Sequence, residues 1–169
     1  MNAPPLILTL ALNREAETFF DVLRQQHFPP DRNFLAAHLT LFHHLPPHEP
    51  RLLQDMQNLC AQQALFEIQV AGIVNIGQGV AYKLESDVLQ QLHKTFQQQW
   101  QPWLIPQDKQ KLWPHVTVQN KVAPQQAVAL QRALQAAFTP FAVVGTGLRL
   151  WKYLGGPWEL VQTLTFKDS

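Results

Sequence analysis

Two short segments of the 169-residue sequence carry the side chains best suited to proton-transfer chemistry: "HLTL" at residues 38–41 and "HVTV" at 115–118. In a β-strand alternate residues share a face. His38 and Thr40 therefore point one way and Leu39 and Leu41 the other; His115 and Thr117 oppose Val116 and Val118 in the same manner. Each strand offers one aliphatic side for packing and one side holding an imidazole and a hydroxyl. Histidine titrates near neutrality, so of two facing rings one can take a proton from an attacking oxygen while the other gives one to a leaving oxygen. The hydroxyls, Thr40 and Thr117, can donate hydrogen bonds to the nonbridging oxygens of a phosphate between them. This is phosphodiester chemistry that needs no metal, and no cofactor is expected.

Such motifs act together only if the chain brings them together. "LILTLAL" (6–12) reads as a buried strand, followed by a helix with Asn13 as its N-cap and Glu15 and Glu17 in its first turn. A strand over 35–43 leads through "LPPHEP" to a second helix, and "FEIQVAGIVNIG" pairs with "VAYKLES" across "GQG" as a hairpin. The order then recurs. Ser86 caps a helix with a Leu89, Leu92, Phe96, Trp100 and Trp103 stripe, a strand covers 115–121, Pro124 opens another helix, and "FAVVGTGLRLWKYL" and "WELVQTLTF" close the chain.

The first strand begins 32 residues before His38 and "VAYKL" begins 35 before His115; "FEIQV" follows His38 by 28 residues and "FAVVG" follows His115 by 26. The matched offsets predict an α+β, two-lobed, pseudo-symmetric duplicated fold, with approximate repeats 5–78 and 79–169 in a single domain spanning 1–169. Antiparallel-rich sheets would line a central cleft, with helices outside.

Composition narrows the function. The sequence is 46% hydrophobic and 15% charged, which suits a packed core, and its net charge of +1 argues against wrapping duplex DNA. The single cysteine, Cys60, falls on a helical apolar stripe and reads as a core residue. The N-terminal apolar run is too short to span a bilayer and lacks a basic start, so a cytoplasmic, non-membrane protein, taken as a monomer, is the expectation.

Strand parity extends the site. Phe42 falls on the His38 face, and Arg149, Trp151 and Tyr153 fall opposite Leu148 and Leu150, toward the cleft; Lys83 has a similar placement on its shorter strand. A guanidinium and an indole there can hold a phosphate and stack a base. His43 falls on the aliphatic face and His44 at the strand end, so both read as loop or edge residues without a third metal ligand. His27, His48 and His93 read as a helix end, a loop and a helix surface.

The paired "HLTL" and "HVTV" segments, with the order of elements over nearly the whole chain, resemble the 2H phosphoesterase superfamily, which includes the 2′–5′ RNA ligases and 2′,3′-cyclic nucleotide phosphodiesterases. That resemblance implies a catalytic pair His38 and His115, phosphate-binding Thr40 and Thr117, and hydrolysis of 2′,3′-cyclic or related phosphodiesters of nucleotides or RNA ends. It leaves open 2′–5′ ligase-type activity, and the residues alone also admit a non-catalytic module binding single-stranded RNA or a nucleotide.

Overall fold

A computed structural model describes residues 3–168. In chain order the elements are β1 (Leu6–Leu12), α1 (Arg14–His27), β2 (Leu39–Leu45), α2 (Pro50–Gln62), β3 (Phe66–Asn75), β4 (Val80–Glu85), α3 (Asp87–Trp100), β5 (His115–Gln119), α4 (Pro124–Ala136), β6 (Phe141–Tyr153) and β7 (Trp158–Thr165). Short 3-10 turns at Pro30–Arg32, Gln101–Trp103 and Pro106–Lys109 interrupt the loops. Ser86 caps α3 by accepting from the Leu89 N–H at 3.1 Å, as its position predicts. Asn13 does not cap α1; its Oδ1 accepts instead from the Val144 N–H at 2.9 Å, tying the start of the helix to β6.

The strands form one sheet in the order β2-β1-β6-β3-β4-β5, with β7 pairing with β6, and every ladder is antiparallel. The order is symmetric about the β6–β3 contact. β1, β2 and β3 of the first half correspond to β4, β5 and β6 of the second, yet β3 lies beside β4 and β6 lies beside β1. Each sequence half thus lends its third strand to the other, and the two sides of the sheet are not the two sequence segments. The sheet curls so that its outermost strands approach each other, with Cα atoms of β2 and β5 within 8 Å.

Helices cover the outer faces. α2 and α3 lie against the β1–β2–β6 side, where Phe42 meets Phe96 and Trp100; α1 and α4 lie against β3, β4 and β5, where Phe20 meets Tyr82. Leu39, Leu41, Val116 and Val118 are all buried beneath these helices, and Cys60 lies in the same core. No helix among the described residues is long and apolar enough to cross a membrane.

A β-bulge alters the face assignments beyond Thr40. Thr9 pairs with Thr40 but Leu8 pairs with Phe42, so Leu41 is an extra residue on β2. Leu41 and Phe42 both turn inward, at 1% and 0% exposure. Phe42 is accordingly a core residue stacked on His93, with centroids 4.5 Å apart, and does not face the cleft as strand parity predicts. Burying a side chain of this size contributes roughly 1.5–3 kcal/mol, more than the ~1 kcal/mol of one disrupted ladder hydrogen bond, so the bulge is energetically sustained. β5 repeats the device: Ala81 pairs with Thr117 and Val80 with Gln119, leaving Val118 as the extra residue.

Candidate active site

Each imidazole stands at the start of its strand and is pinned by the same contact. His38 Nδ1 lies 2.8 Å from the Ala36 carbonyl and His115 Nδ1 lies 2.7 Å from the Trp113 carbonyl. A carbonyl only accepts, so Nδ1–H donates in both rings and each Nε2 is left for a ligand. Each ring also has an indole neighbour. Trp113 stacks on His115 with centroids 4.1 Å apart, and Trp158 lies 4.6 Å from His38 at a 50° tilt.

The curl of the sheet brings the two motifs near enough for charge on one to be felt by the other. Burial holds the His38 pKa down to about 4; the charges of Arg24, His115 and His43 push the same way, while the bond to Ala36 opposes them. His115 is likewise depressed by burial and by His43, against the bond to Trp113. Arg24 distinguishes the two sites. The residue is 5% exposed, and its guanidinium donates to Asn33 Oδ1 at 2.9 Å and to the Thr117 carbonyl at 3.1 Å and lies 4.0 Å over the Phe28 ring. Its charge acts on His38 and adds to the burial that makes that imidazole hard to protonate.

Beside His38 opens a cleft of about 400 Å³, whose walls include Thr9, Phe34, Arg149, Trp151 and Trp158. Thr9 faces Thr40 on one side and Arg149 on the other, so a polar row crosses three strands. The Arg149 guanidinium is held by Glu17 through two hydrogen bonds, one of 3.0 Å. The Trp151 Nε1–H donates to Thr9 Oγ1 at 2.9 Å. Asp21 fixes the cleft rim by accepting from the Ala37 N–H at 3.0 Å.

The remaining sequence-predicted positions separate. Lys83 lies directly opposite His115 in the β4–β5 ladder and therefore shares its face, with its ammonium 3.2 Å from Glu85. Tyr153 lies at the far end of β6, 41% exposed and off the cleft wall, because β6 runs past the cleft. His93 is not a surface residue: it is 2% exposed and bonded to the Leu41 carbonyl at 3.0 Å. Sequence reasoning missed Trp113, Trp158, Phe34 and Arg24. Arg24 had a signal, since Ala16, Phe20 and Arg24 recur at every fourth position and place a cation on the buried stripe of α1.

A curled antiparallel sheet with helices outside and two His-x-Thr strands at its margins defines a phosphoesterase-type fold. The sequence model of the 2′-5′ RNA ligase superfamily matches residues 12–157, and the chain belongs to that superfamily. Solved structures agree at the level of fold. The Thermus thermophilus protein TT0787 superposes with a TM-score of 0.66 at 16% identity, covering 96% of this chain and 97% of its own. Escherichia coli LigT complexed with 3′-AMP gives 0.61 at 17% identity over 98% and 99%, and LigT complexed with NADP+ gives 0.58 at 18% over 99% of both chains. No curated protein sequence matches the chain significantly.

Proposed function

We propose that this protein is a metal-independent phosphoesterase that opens 2′,3′-cyclic or related phosphodiesters of nucleotides or RNA ends, with His38 as general base and His115 as general acid. The observation that carries this reading is the matched presentation of two imidazoles, each with Nδ1 tied to a carbonyl two residues back and Nε2 left for a ligand. Neutral His38 takes a proton from water as the water oxygen bonds to phosphorus. His115 gives its proton to the ribose oxygen as the bond from phosphorus to that oxygen breaks, leaving a phosphomonoester. The Thr40 and Thr117 hydroxyls bind the nonbridging oxygens, where negative charge builds. The role assignment follows the difficulty of protonating His38, which burial sets first and the charge of Arg24 reinforces. Phe34, Trp151 and Trp158 give the adjoining cleft the surface a nucleoside stacks on, and the 3′-AMP, NADP+ and ATP complexes of LigT support a nucleotide as ligand.

The test is hydrolysis of 2′,3′-cyclic nucleotides in the presence of a chelator. His38→Ala and His115→Ala are each expected to lower kcat/KM by about 10²–10⁴-fold. Undiminished activity in either variant overturns the mechanism, and nucleotide binding without turnover by the intact protein converts the reading to a binding module.

A further inference from the structure

The bulge that sends Phe42 into the core has a second effect on β2. Counting past the extra residue Leu41, the position returning to the cleft face beside His38 and Thr40 is His43, which unbroken alternation would have placed among the aliphatic side chains. His43 is 44% exposed at its side chain and is fastened from one side only. Its Nδ1 lies 3.0 Å from Asp108 Oδ1, and Asp108 also accepts the backbone N–H groups of His43 and His44 at 2.9–3.0 Å. Asp108 itself is 2% exposed, so its carboxylate is committed to this one corner of β2. The carboxylate fixes Nδ1–H as a donor and turns Nε2 outward, the arrangement that orients a histidine for a ligand.

His43 stands on the same strand and face as Thr40, three positions on, and its charge acts on both His38 and His115. Among the described residues no three His, Cys, Asp or Glu side chains converge as a metal site. His43 lies three positions beyond Thr40, at most about 10 Å along a strand, on the side of the motif away from Ala36, Ala37 and the aromatic cleft. A span up to that length accommodates neighbouring phosphates on one nucleotide chain.

Building on the phosphoesterase reading, we infer that His43, oriented by Asp108, binds a second, non-reacting phosphate of the substrate, and that the site prefers phosphodiesters carrying one. The polarity follows from the geometry: a nucleoside in the aromatic cleft, the scissile phosphate between His38 and His115, and the additional phosphate at His43. A 5′-terminal phosphate and an internucleotide phosphate both supply this group.

The experiment compares dissociation constants of adenosine 3′-phosphate, adenosine 3′,5′-bisphosphate and a diadenosine 3′-phosphate for the intact protein and for His43→Gln, with thermal melting to verify folding. The intact protein is expected to bind at least one doubly phosphorylated ligand roughly tenfold more tightly than the monophosphate, the scale of a charge-assisted hydrogen bond. His43→Gln is expected to bring that ratio within about twofold, the size of a residual effect once the bond is gone. A gain with the bisphosphate assigns a 5′-phosphate; a gain with the dinucleotide alone assigns an internucleotide phosphate. Equal binding of all three ligands by the intact protein, or an unchanged ratio in His43→Gln, overturns the inference while leaving the phosphoesterase reading standing. Failure to bind any of them, together with absence of cyclic-nucleotide hydrolysis, removes both.

Discussion

Raising the pH from 6 to 8 is expected to slow the capture of a 2′,3′-cyclic nucleotide. In the proposed mechanism the productive free protein holds His38 neutral and His115 protonated. With its pKa pushed to about 4 by burial and by the charges of Arg24, His115 and His43, His38 is neutral throughout this range. His115 is depressed below 6.5, first by burial and then by His43, so its proton is lost early. Even a group left at 6.5 would carry its proton in only roughly one molecule in ten at pH 7.5, and a lower value leaves fewer. kcat/KM should therefore peak between about 4 and 6.5 and fall about tenfold per pH unit beyond. Bound phosphate favours the imidazolium, so the alkaline limb of kcat is expected at higher pH than that of kcat/KM. The assay is initial rates at limiting and saturating substrate from pH 4 to 9 at constant ionic strength. The two limbs belong to the coupled pair, so residual rates of His115→Ala, expected to lack the alkaline limb, assign them. A kcat/KM that climbs from pH 6 to a plateau above 8 would refute the argument.

Arg24→Met keeps the packing over Phe28 and removes the charge; the acid limb is expected to move to higher pH. Melting should show a loss of about 1–3 kcal/mol from the unpaired Thr117 carbonyl and Asn33 side chain. His38→Gln is expected to flatten part of the acid destabilisation. Because folded His38 titrates near 4 and the unfolded ring near 6.5, the unfolded chain binds the proton first. Stability then falls as pH drops through that window, by up to about 3 kcal/mol from this group, and levels off below it. Denaturation curves at pH 7 and pH 4 measure the difference between the variant and the intact protein. Trp158→Ala is expected to raise KM roughly tenfold with a smaller change in kcat, the loss expected for one stacked base; equal falls in kcat and kcat/KM would place the indole in the chemistry instead.

The elements around the site were legible because their signals are local. Alternation placed Leu39, Leu41, Val116 and Val118 in the core, and matched spacing about the two histidines predicted the duplicated α+β order. What escaped depends on pairing between distant segments. Nothing in "HLTLFHHL" marks the bulge at Leu41, with neither glycine nor proline there, and only the register against β1 reveals that Phe42 and His43 have traded faces. The exchange of β3 and β6 is likewise a matter of partner choice, which the order of elements leaves open. His93 lies one residue from Leu92 on the buried stripe of α3, and its polarity concealed its place there. Trp158 follows "GGP" in a strand whose burial pattern is mostly exposed, so its approach to His38 has no local signature.

The exchange of strands sets how the enzyme can move. His38 and His115 ride on opposite margins of one continuous hydrogen-bonded sheet, not on two bodies joined by a flexible connector. A hinge between the two sides of the sheet would have to break the β3–β6 ladder, and one between the sequence halves would have to break the β1–β6 and β3–β4 ladders as well. Widening the gap between the imidazoles therefore requires the entire sheet to flatten, and their separation is an elastic property of its curvature.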